Sequence, residues 1–360
     1  MARGHPQSEA ASYMDFPCAR GIQARREFYT IMCDFATIVN RFQFDMNSGI
    51  PPKMRAQRKL RPSRIPKIAS YIMDNPEDYI LSAITVSVDK KVEFLPAKSE
   101  GSDALVGKIR IPSNARILVN DGQHRCAAIR MAYGENSNIG TERLTVVVFE
   151  DRGLKRSQQM FADLNKHAVK PTKSLGLLYD HRDTFARFIV TLANDVEVFE
   201  GRTEMERTNI ASRSALFFTL NGIAEATRHL LKIKPKTKTI SAEKQKLAVD
   251  YWTKVSKNIP EWNLMIDKKI TPYELRQEYV HAHTNILTAL GLAGNILLKR
   301  SDWQNKLKGL QKIDWRRDSP IWQNKVVMDG KMLKNRLGIK RAANEILKKL
   351  GAGEYLEAGA

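Results

Sequence analysis

The densest run of reactive side chains in the chain is Asp121-Gly122-Gln123-His124-Arg125, which sets a carboxylate, an amide, an imidazole and a guanidinium within five positions. An apolar stretch, Ile117 to Val119, precedes it and reads as a buried strand. A helical pattern follows from Gln123 to Tyr133, with Ala127, Ala128 and Met131 as a small apolar face and Gly134 placed as its C-cap. Gly122 accepts positive φ freely, so Asn120-Asp121-Gly122 can turn strand into helix. Free backbone N–H groups and the positive end of the dipole collect at such a helix start, which suits a phosphate or other anion. Asp121, Gly122, Gln123, His124 and Arg125 are therefore candidate anion-binding residues. The plainer alternative is that Asp121 caps the helix and Arg125 is an ordinary surface charge. If the site is enzymatic, Asp121 and His124 are the candidates to hold a metal or act as general base, with Arg125 stabilising transferred phosphate. No Walker-type glycine loop and no dense carboxylate cluster accompany them, so binding without turnover is favoured and no metal site is expected.

A second donor-rich stretch lies downstream. Asn165, Lys166, His167, Lys170 and Lys173 fall close together where a helix from Asp151 to Asn165, with Leu154, Phe161 and Leu164 inward, gives way to a loop. If that loop lies over the same sheet end as the pentapeptide, Asn165 and Lys166 add phosphate donors; otherwise they finish a helix beside solvated lysines. Three further segments are cationic: Pro51–Arg64 with Arg55, Arg58, Lys59 and Arg61; Arg202, Arg207 and Arg213; and Lys232–Lys246 with Lys234, Lys236 and Lys238. The net charge is +20 over 360 residues, and a chain this basic usually meets a polyanion, most often nucleic acid. Double-stranded DNA is the expected partner, its backbone gripped by these cations and its sequence read by a helix in a groove. The Arg202–Arg213 region is the candidate reader, and Lys232–Lys246 is expected to be a flexible loop.

The pentapeptide resembles the signature of the DGQHR-motif proteins, among them the DndB family of the DNA phosphorothioation (sulfur modification) gene cluster. Ser63 to Val88 is similar to that family's helix-then-strand segment. Phe161-Ala162-Asp163-Leu164-Asn165-Lys166 resembles its Phe-x-Asp-Leu-Asn motif, and Asp314-Trp315 with Trp322 its helical end. The resemblance implies a transcriptional regulator that binds promoter DNA of the cluster, with other proteins of the system, or a second copy of the chain, as possible partners. More distantly, strand, Gly-polar-Arg turn and helix resemble the phosphate box of ParB-like domains, some of which bind or hydrolyse nucleotides or act as nucleases. A nucleotide is thus the one cofactor the resemblance suggests, and a phosphohydrolase the alternative function.

The elements that must position these residues point to two domains. Residues 21–173 read as a ParB-like mixed α/β domain and 174–350 as a mostly helical one, with 1–20 and 351–360 as flexible ends. Strands are expected at Phe28–Cys33, Ile84–Val88, Ile109–Ile111, Ile117–Val119 and Leu144–Phe149, and Val92–Phe94 is expected to form a hairpin with Ile84–Val88. Ile65, Ile68, Ala69, Ile72 and Met73 recur at helical spacing, and Asp34 can cap a short helix. Beyond Ser174 only helices are expected: Leu175–Tyr179, Thr184–Leu192, Leu216–Leu220, Leu247–Val255, Leu275–Leu298, Trp303–Ile313 and Asn344–Leu350. His281 and His283, two apart on such a helix, would not share a face to bind metal. Hydrophobic residues make up 42% of the chain, enough for a core, and Trp303, Trp315 and Trp322 are expected to fill it. Three cysteines without metal-like spacing, no apolar leader and no membrane-length apolar run lead to the expectation of a cytoplasmic protein.

Overall fold

The structure, a computed structural model, describes residues 12–43, 60–151, 153–166, 171–333, 335–353 and 355–356. The chain divides into two compact units, residues 1–169 and 170–360.

The first unit is built on an eight-stranded mixed sheet. Its strands are β1 (Tyr13–Gln23), β2 (Arg26–Asp34), β3 (Phe42–Gln43), β4 (Ile84–Val88), β5 (Glu93–Pro96), β6 (Val106–Pro112), β7 (Ile117–Asp121) and β8 (Arg143–Glu150), in the order β3-β7-β4-β8-β2-β1-β6-β5. β4 lies at the centre of one half, antiparallel to β7 and parallel to β8. Every β4 side chain is buried, which only a strand covered on both faces can sustain. Its helices are α1 (Phe35–Arg41), α2 (Ile65–Asp74), α3 (Gln123–Glu135) and α4 (Leu154–Lys166). Asp34 begins α1 as its sequence suggests, its carboxylate accepting the Thr37 N–H at 2.7 Å. Ile72 and Ala69 of α2 pack with Cys126, Ala128, Ile129 and Ala132 of α3 against Ile84, Val86, Ile117 and Val119. The small residues of α3 let it approach the sheet closely. Ser87 and Asn120 point to the other face, where the Asn120 amide reaches Ser87 Oγ and, at 3.3 Å, Met160 Sδ of α4.

Several expectations need correcting here. Residues 13–20 are not a loose end but most of β1, which pairs with both β2 and β6. β5 pairs with β6 rather than with β4, because β4 already has β7 and β8 as neighbours and no free edge remains. α3 runs one residue past Gly134 and is capped at Asn136. Met131 is exposed and Ile129 takes its expected place in the core. Leu164 is likewise exposed, while the side chains of Leu154 and Phe161 lie outside the described residues.

The second unit is helical: α5 (Lys173–Tyr179), α6 (Thr184–Asp195), α7 (Leu220–Leu230), α8 (Ala242–Lys257), α9 (Pro260–Ile266), α10 (Pro272–Glu278), α11 (Thr284–Leu297), α12 (Trp303–Leu307) and α13 (Arg336–Lys349). Two small pairings, β9 (Thr203–Glu204) with β10 (Phe218–Thr219) and β11 (Val327–Met328) with β12 (Lys331–Met332), show that strands do not end at Ser174. β10 also replaces the expected helix at Leu216–Leu220. α7 and α11 lie close because Gly291 has no side chain; a Cβ there would stand 2.2 Å from the Ala226 carbonyl. Trp252, Trp262, Trp315 and Trp322 are fully buried, the last two stacked at 5.4 Å, so packing does account for Trp315 and Trp322. The expected long helix at Leu275–Leu298 is broken at Tyr279, whose extended backbone leads into a short turn, Val280–Ala282. His281 therefore points into the core, where the Trp262 indole donates to its Nδ1 at 3.0 Å and Glu261 lies 3.3 Å from its Nε2. The C-terminal residues are not all loose either: Ala352 is buried and the Leu356 N–H donates to Asn344 Oδ1 at 2.8 Å.

Candidate nucleic-acid interface

The pentapeptide sits at the end of β7, and a β-bulge aims it. Val119 pairs with Val86 and Asp121 with Thr85, so Asn120 is an extra residue on its strand. Regular alternation would send Asp121 onto the buried face occupied by Ile117 and Val119; the bulge turns it away. Gly122 then adopts φ +99°, where a Cβ would stand 3.0 Å from both Ile84 Cγ1 and Arg125 Nη2. Only glycine fits this position without strain.

Arg125 closes the turn. Its Nη2 donates to Asp121 Oδ2 at 2.7 Å and to the Ala83 carbonyl at 3.0 Å, and its Nη1 to Ser82 Oγ at 2.6 Å. The guanidinium thus ties the β7–α3 turn to the segment entering β4, forty residues earlier. Gln123 is buried. Asp121 is on Arg125, not capping α3, and Gly122 supplies no side-chain cap. His124 Nε2 accepts the Arg61 backbone N–H at 2.9 Å, which brings the end of the Pro51–Arg64 segment to the motif. Both groups proposed for acid–base chemistry are therefore engaged: Asp121 by a cation, His124 by a donor. Burial pushes the Cys126 thiol up to about 12, although Arg125 and Arg130 oppose this, so it is a packing group and no nucleophile at neutral pH. Among the described residues no group of three or more His, Cys, Asp or Glu side chains is placed to hold a metal ion.

A consequence follows for Arg125→Ala. It leaves Asp121 without its cation and Ser82 Oγ and the Ala83 carbonyl without a donor. Charge-assisted hydrogen bonds at a site about one-fifth exposed predict a loss of about 2 kcal/mol, a fall of roughly 5 °C in the melting point of a unit this size. Thermal melts followed by far-UV circular dichroism measure it. An unchanged melting point would show that the latch carries no stability.

The other expected residues are scattered. Lys166 is exposed at the end of α4, and among the described residues nothing joins it to the pentapeptide. Arg55, Arg58, Lys59 and Lys170, and the side chain of Asn165, lie outside the described residues. Lys173 is exposed at the first position of α5. The Arg202–Arg213 region forms no helix and so cannot enter a groove as one. Arg202 donates inward to the carbonyls of Glu197 and Glu200, each at 3.0 Å. Buried Arg276 holds the following loop by donating to the carbonyls of Ser212, Ser214 and Leu216. Arg207 and Arg213 remain exposed.

The lysine-rich segment is the largest surprise, because its backbone is pinned. Arg228 stacks on Phe185 at 3.8 Å and donates to the carbonyls of Lys234 and Thr237, both at 3.0 Å. The Lys238 carbonyl accepts the Phe185 N–H at 3.0 Å, and residues from Ala242 onward belong to α8. Lys232, Lys234, Lys236, Lys238, Lys244 and Lys246 are all exposed on this held frame, Lys238 paired with Asp180 at 3.2 Å. A cavity of about 530 Å³ opens on it. Lys232, Lys234 and Lys244 line it together with the hydroxyl residues Thr237, Thr239 and Ser241, and no carboxylate does. Lys232 and Lys244 belong to the lysine run read from the sequence, but their convergence on one cavity is set by the fold. A second cation-lined cavity, about 260 Å³, lies in the first unit among Arg25, Arg26 and Arg156, but Glu27 and Glu150 share it. The turn that brings Arg25 there holds Ala24 and Arg25 at φ +51° and +61°, a conformation with a cost for both.

Fold and surface together define a basic, two-unit protein: a mixed α/β sheet unit with an arginine-latched strand–helix turn, then a helical unit presenting a carboxylate-free lysine cradle. Residues 16–353 match the family DndB, described as DNA-sulfur modification-associated, and the chain belongs to that family. Its role accordingly lies in the DNA sulfur modification system. No curated protein and no solved structure matches the chain. No helix among the described residues is long and apolar enough to cross a membrane.

Proposed function

We propose that this chain is a DNA-binding transcriptional regulator of a DNA-sulfur modification gene cluster, acting by holding promoter DNA rather than by turnover. The observation that carries the reading is the cradle of Lys232, Lys234 and Lys244 with three hydroxyl residues, on a loop held open by Arg228. Lysines and hydroxyls without a neighbouring carboxylate are the donor set for phosphodiester oxygens. A pre-held loop does not lose backbone entropy on binding, so its attraction is not spent on ordering itself. The Ser241 cap begins α8 beside it, and the net charge of +20 supplies long-range attraction for a polyanion. Membership of a family associated with DNA sulfur modification supports DNA as that polyanion.

The test is an electrophoretic titration of the full chain against a promoter duplex of its own modification cluster and a scrambled duplex of equal length. A regulator is expected to prefer its operator by roughly a thousandfold or more at physiological salt. Equal affinity for the two duplexes would remove the regulatory reading, and no binding at low salt would remove DNA binding with it.

A further inference from the structure

The helical unit contains a cavity unlike the lysine cradle. It is a half-open cleft of about 740 Å³ between α5, α7, α11 and α13, the range of a pocket for a small organic ligand. Its apolar lining comes from Leu177, Ile233, Leu292 and Ile339, one residue from each of three helices and one from the lysine loop. Four cations, Lys173, Arg228, Arg336 and Lys340, stand on its wall against two carboxylates, Asp183 and Glu225. Asp183 offsets the charge of Arg228, and the cations still outnumber the carboxylates by two. Asp183 accepts the Ala186 N–H at 2.8 Å as the cap of α6, and Glu225 sits one turn from His229 on α7.

The placement of one cation is informative. Arg336 is the first residue of α13, where the helix dipole opposes positive charge, and no acidic residue offsets it in the first turn. An exposed arginine at that position, on the wall of a partly apolar cavity, marks where a negative group would be received. Burial lowers the affinity of His229 for a proton, so at neutral pH it offers the cavity a neutral ring rather than a fifth charge.

We infer that this cavity is a binding site for an amphipathic organic anion, with an apolar, ring-sized body seated between Leu177, Leu292 and Ile339 and its acidic group held by Arg336. The site is separate from the DNA-binding reading and stands without it. Ile233 lines both this cavity and the lysine cradle, so the two share one wall.

The probe is 1-anilinonaphthalene-8-sulfonate, an aromatic body with one sulfonate, titrated into the folded full chain and followed by its fluorescence. One saturable site is expected. Two variants locate it. Gly176 lines the cavity in α5, and a Cβ added there meets nothing within 4 Å, so Gly176→Phe places a ring at the cavity wall with room for its Cβ. Arg336→Glu removes the cation while suiting the helix dipole, so its fold is retained even if the first variant fails to fold. Each is expected to weaken binding by about tenfold or more, the loss of a charge-assisted contact or of the apolar seat. Lys90→Glu, exposed in the first unit and no part of the cavity, should titrate as the parent does. A linear, unsaturable signal in the parent overturns the inference, as does Arg336→Glu binding with unchanged affinity.

Discussion

Raising salt from 50 to 200 mM is expected to weaken binding of this chain to duplex DNA by about a thousandfold. The figure follows from about six phosphates engaged by lysine, each contributing roughly −0.9 to the slope of log affinity against log salt. Lys232, Lys234, Lys236, Lys238, Lys244 and Lys246 are the six exposed lysines of the pinned segment. Counterions released from DNA by these side chains are the driving force, and added salt lowers the gain from releasing them. The cradle makes a sharper statement than charge alone. Replacing Lys232, Lys234 and Lys244 together with alanine should remove about three contacts, so the slope should fall from about −5 to about −3. Replacing three exposed lysines elsewhere, such as Lys67, Lys90 and Lys91, removes the same net charge and should change it far less. Fluorescence anisotropy with a labelled duplex at four salt concentrations measures both. If the two triple variants behave alike, the attraction is a diffuse property of the basic surface, and the cradle is no interface.

What could be read in advance divides along a physical line. The strands at Ile84–Val88, Ile117–Val119 and Leu144–Phe149 are legible because alternation in the first and apolar, β-branched runs in the other two are local signals. Asp34 and the Ile65–Met73 periodicity are equally legible, since capping and amphipathicity are local. Partners distant in sequence are not. Val92–Phe94 follows Ile84–Val88 so closely that a hairpin is the natural reading, yet β4 is already paired on both edges by strands from farther along. Arg125 looks like a free donor until Ser82 and Ala83, more than forty residues away, occupy its guanidinium. The same holds for Lys232–Lys246: composition suggests a loose tether, and only the fold reveals that Arg228 and Phe185 hold its backbone. The break between α10 and α11 was hidden because Tyr279 to His283 contains no proline or glycine. It forms because Val280, Trp315 and the buried imidazole of His281 pack better in an extended turn than in a continuous helix, with the Val280 N–H donating to the Trp315 carbonyl at 2.9 Å.

That turn makes the helical unit sensitive to acid. Burial, reinforced by the Arg317 cation, lowers the His283 imidazole to about 4. Burial lowers His281 and His229 as well. In the unfolded chain each returns to the ordinary value near 6.5. The folded state thus binds fewer protons than the unfolded state between those limits, and the stability present above pH 6.5 is lost as the pH falls. Below about 4 the loss from His283 levels off, since the folded protein then takes up the same proton. A depression of this size corresponds to about 3 kcal/mol at His283 alone. Glu261, whose own affinity for protons is lowered in the fold, adds its loss below the ordinary carboxylate range and so does not confuse the window. All five tryptophans, Trp252, Trp262, Trp303, Trp315 and Trp322, belong to this unit, so indole fluorescence reports its unfolding selectively. Urea midpoints are expected to fall steadily from pH 7 to pH 4.5. His283→Gln should start lower at pH 7, having lost its contact with the Arg276 carbonyl, but lose less on acidification because no proton need be excluded. Parent and variant falling in parallel would place the acid sensitivity at other groups, and a midpoint independent of pH would show that His283 is accommodated as a cation in the fold.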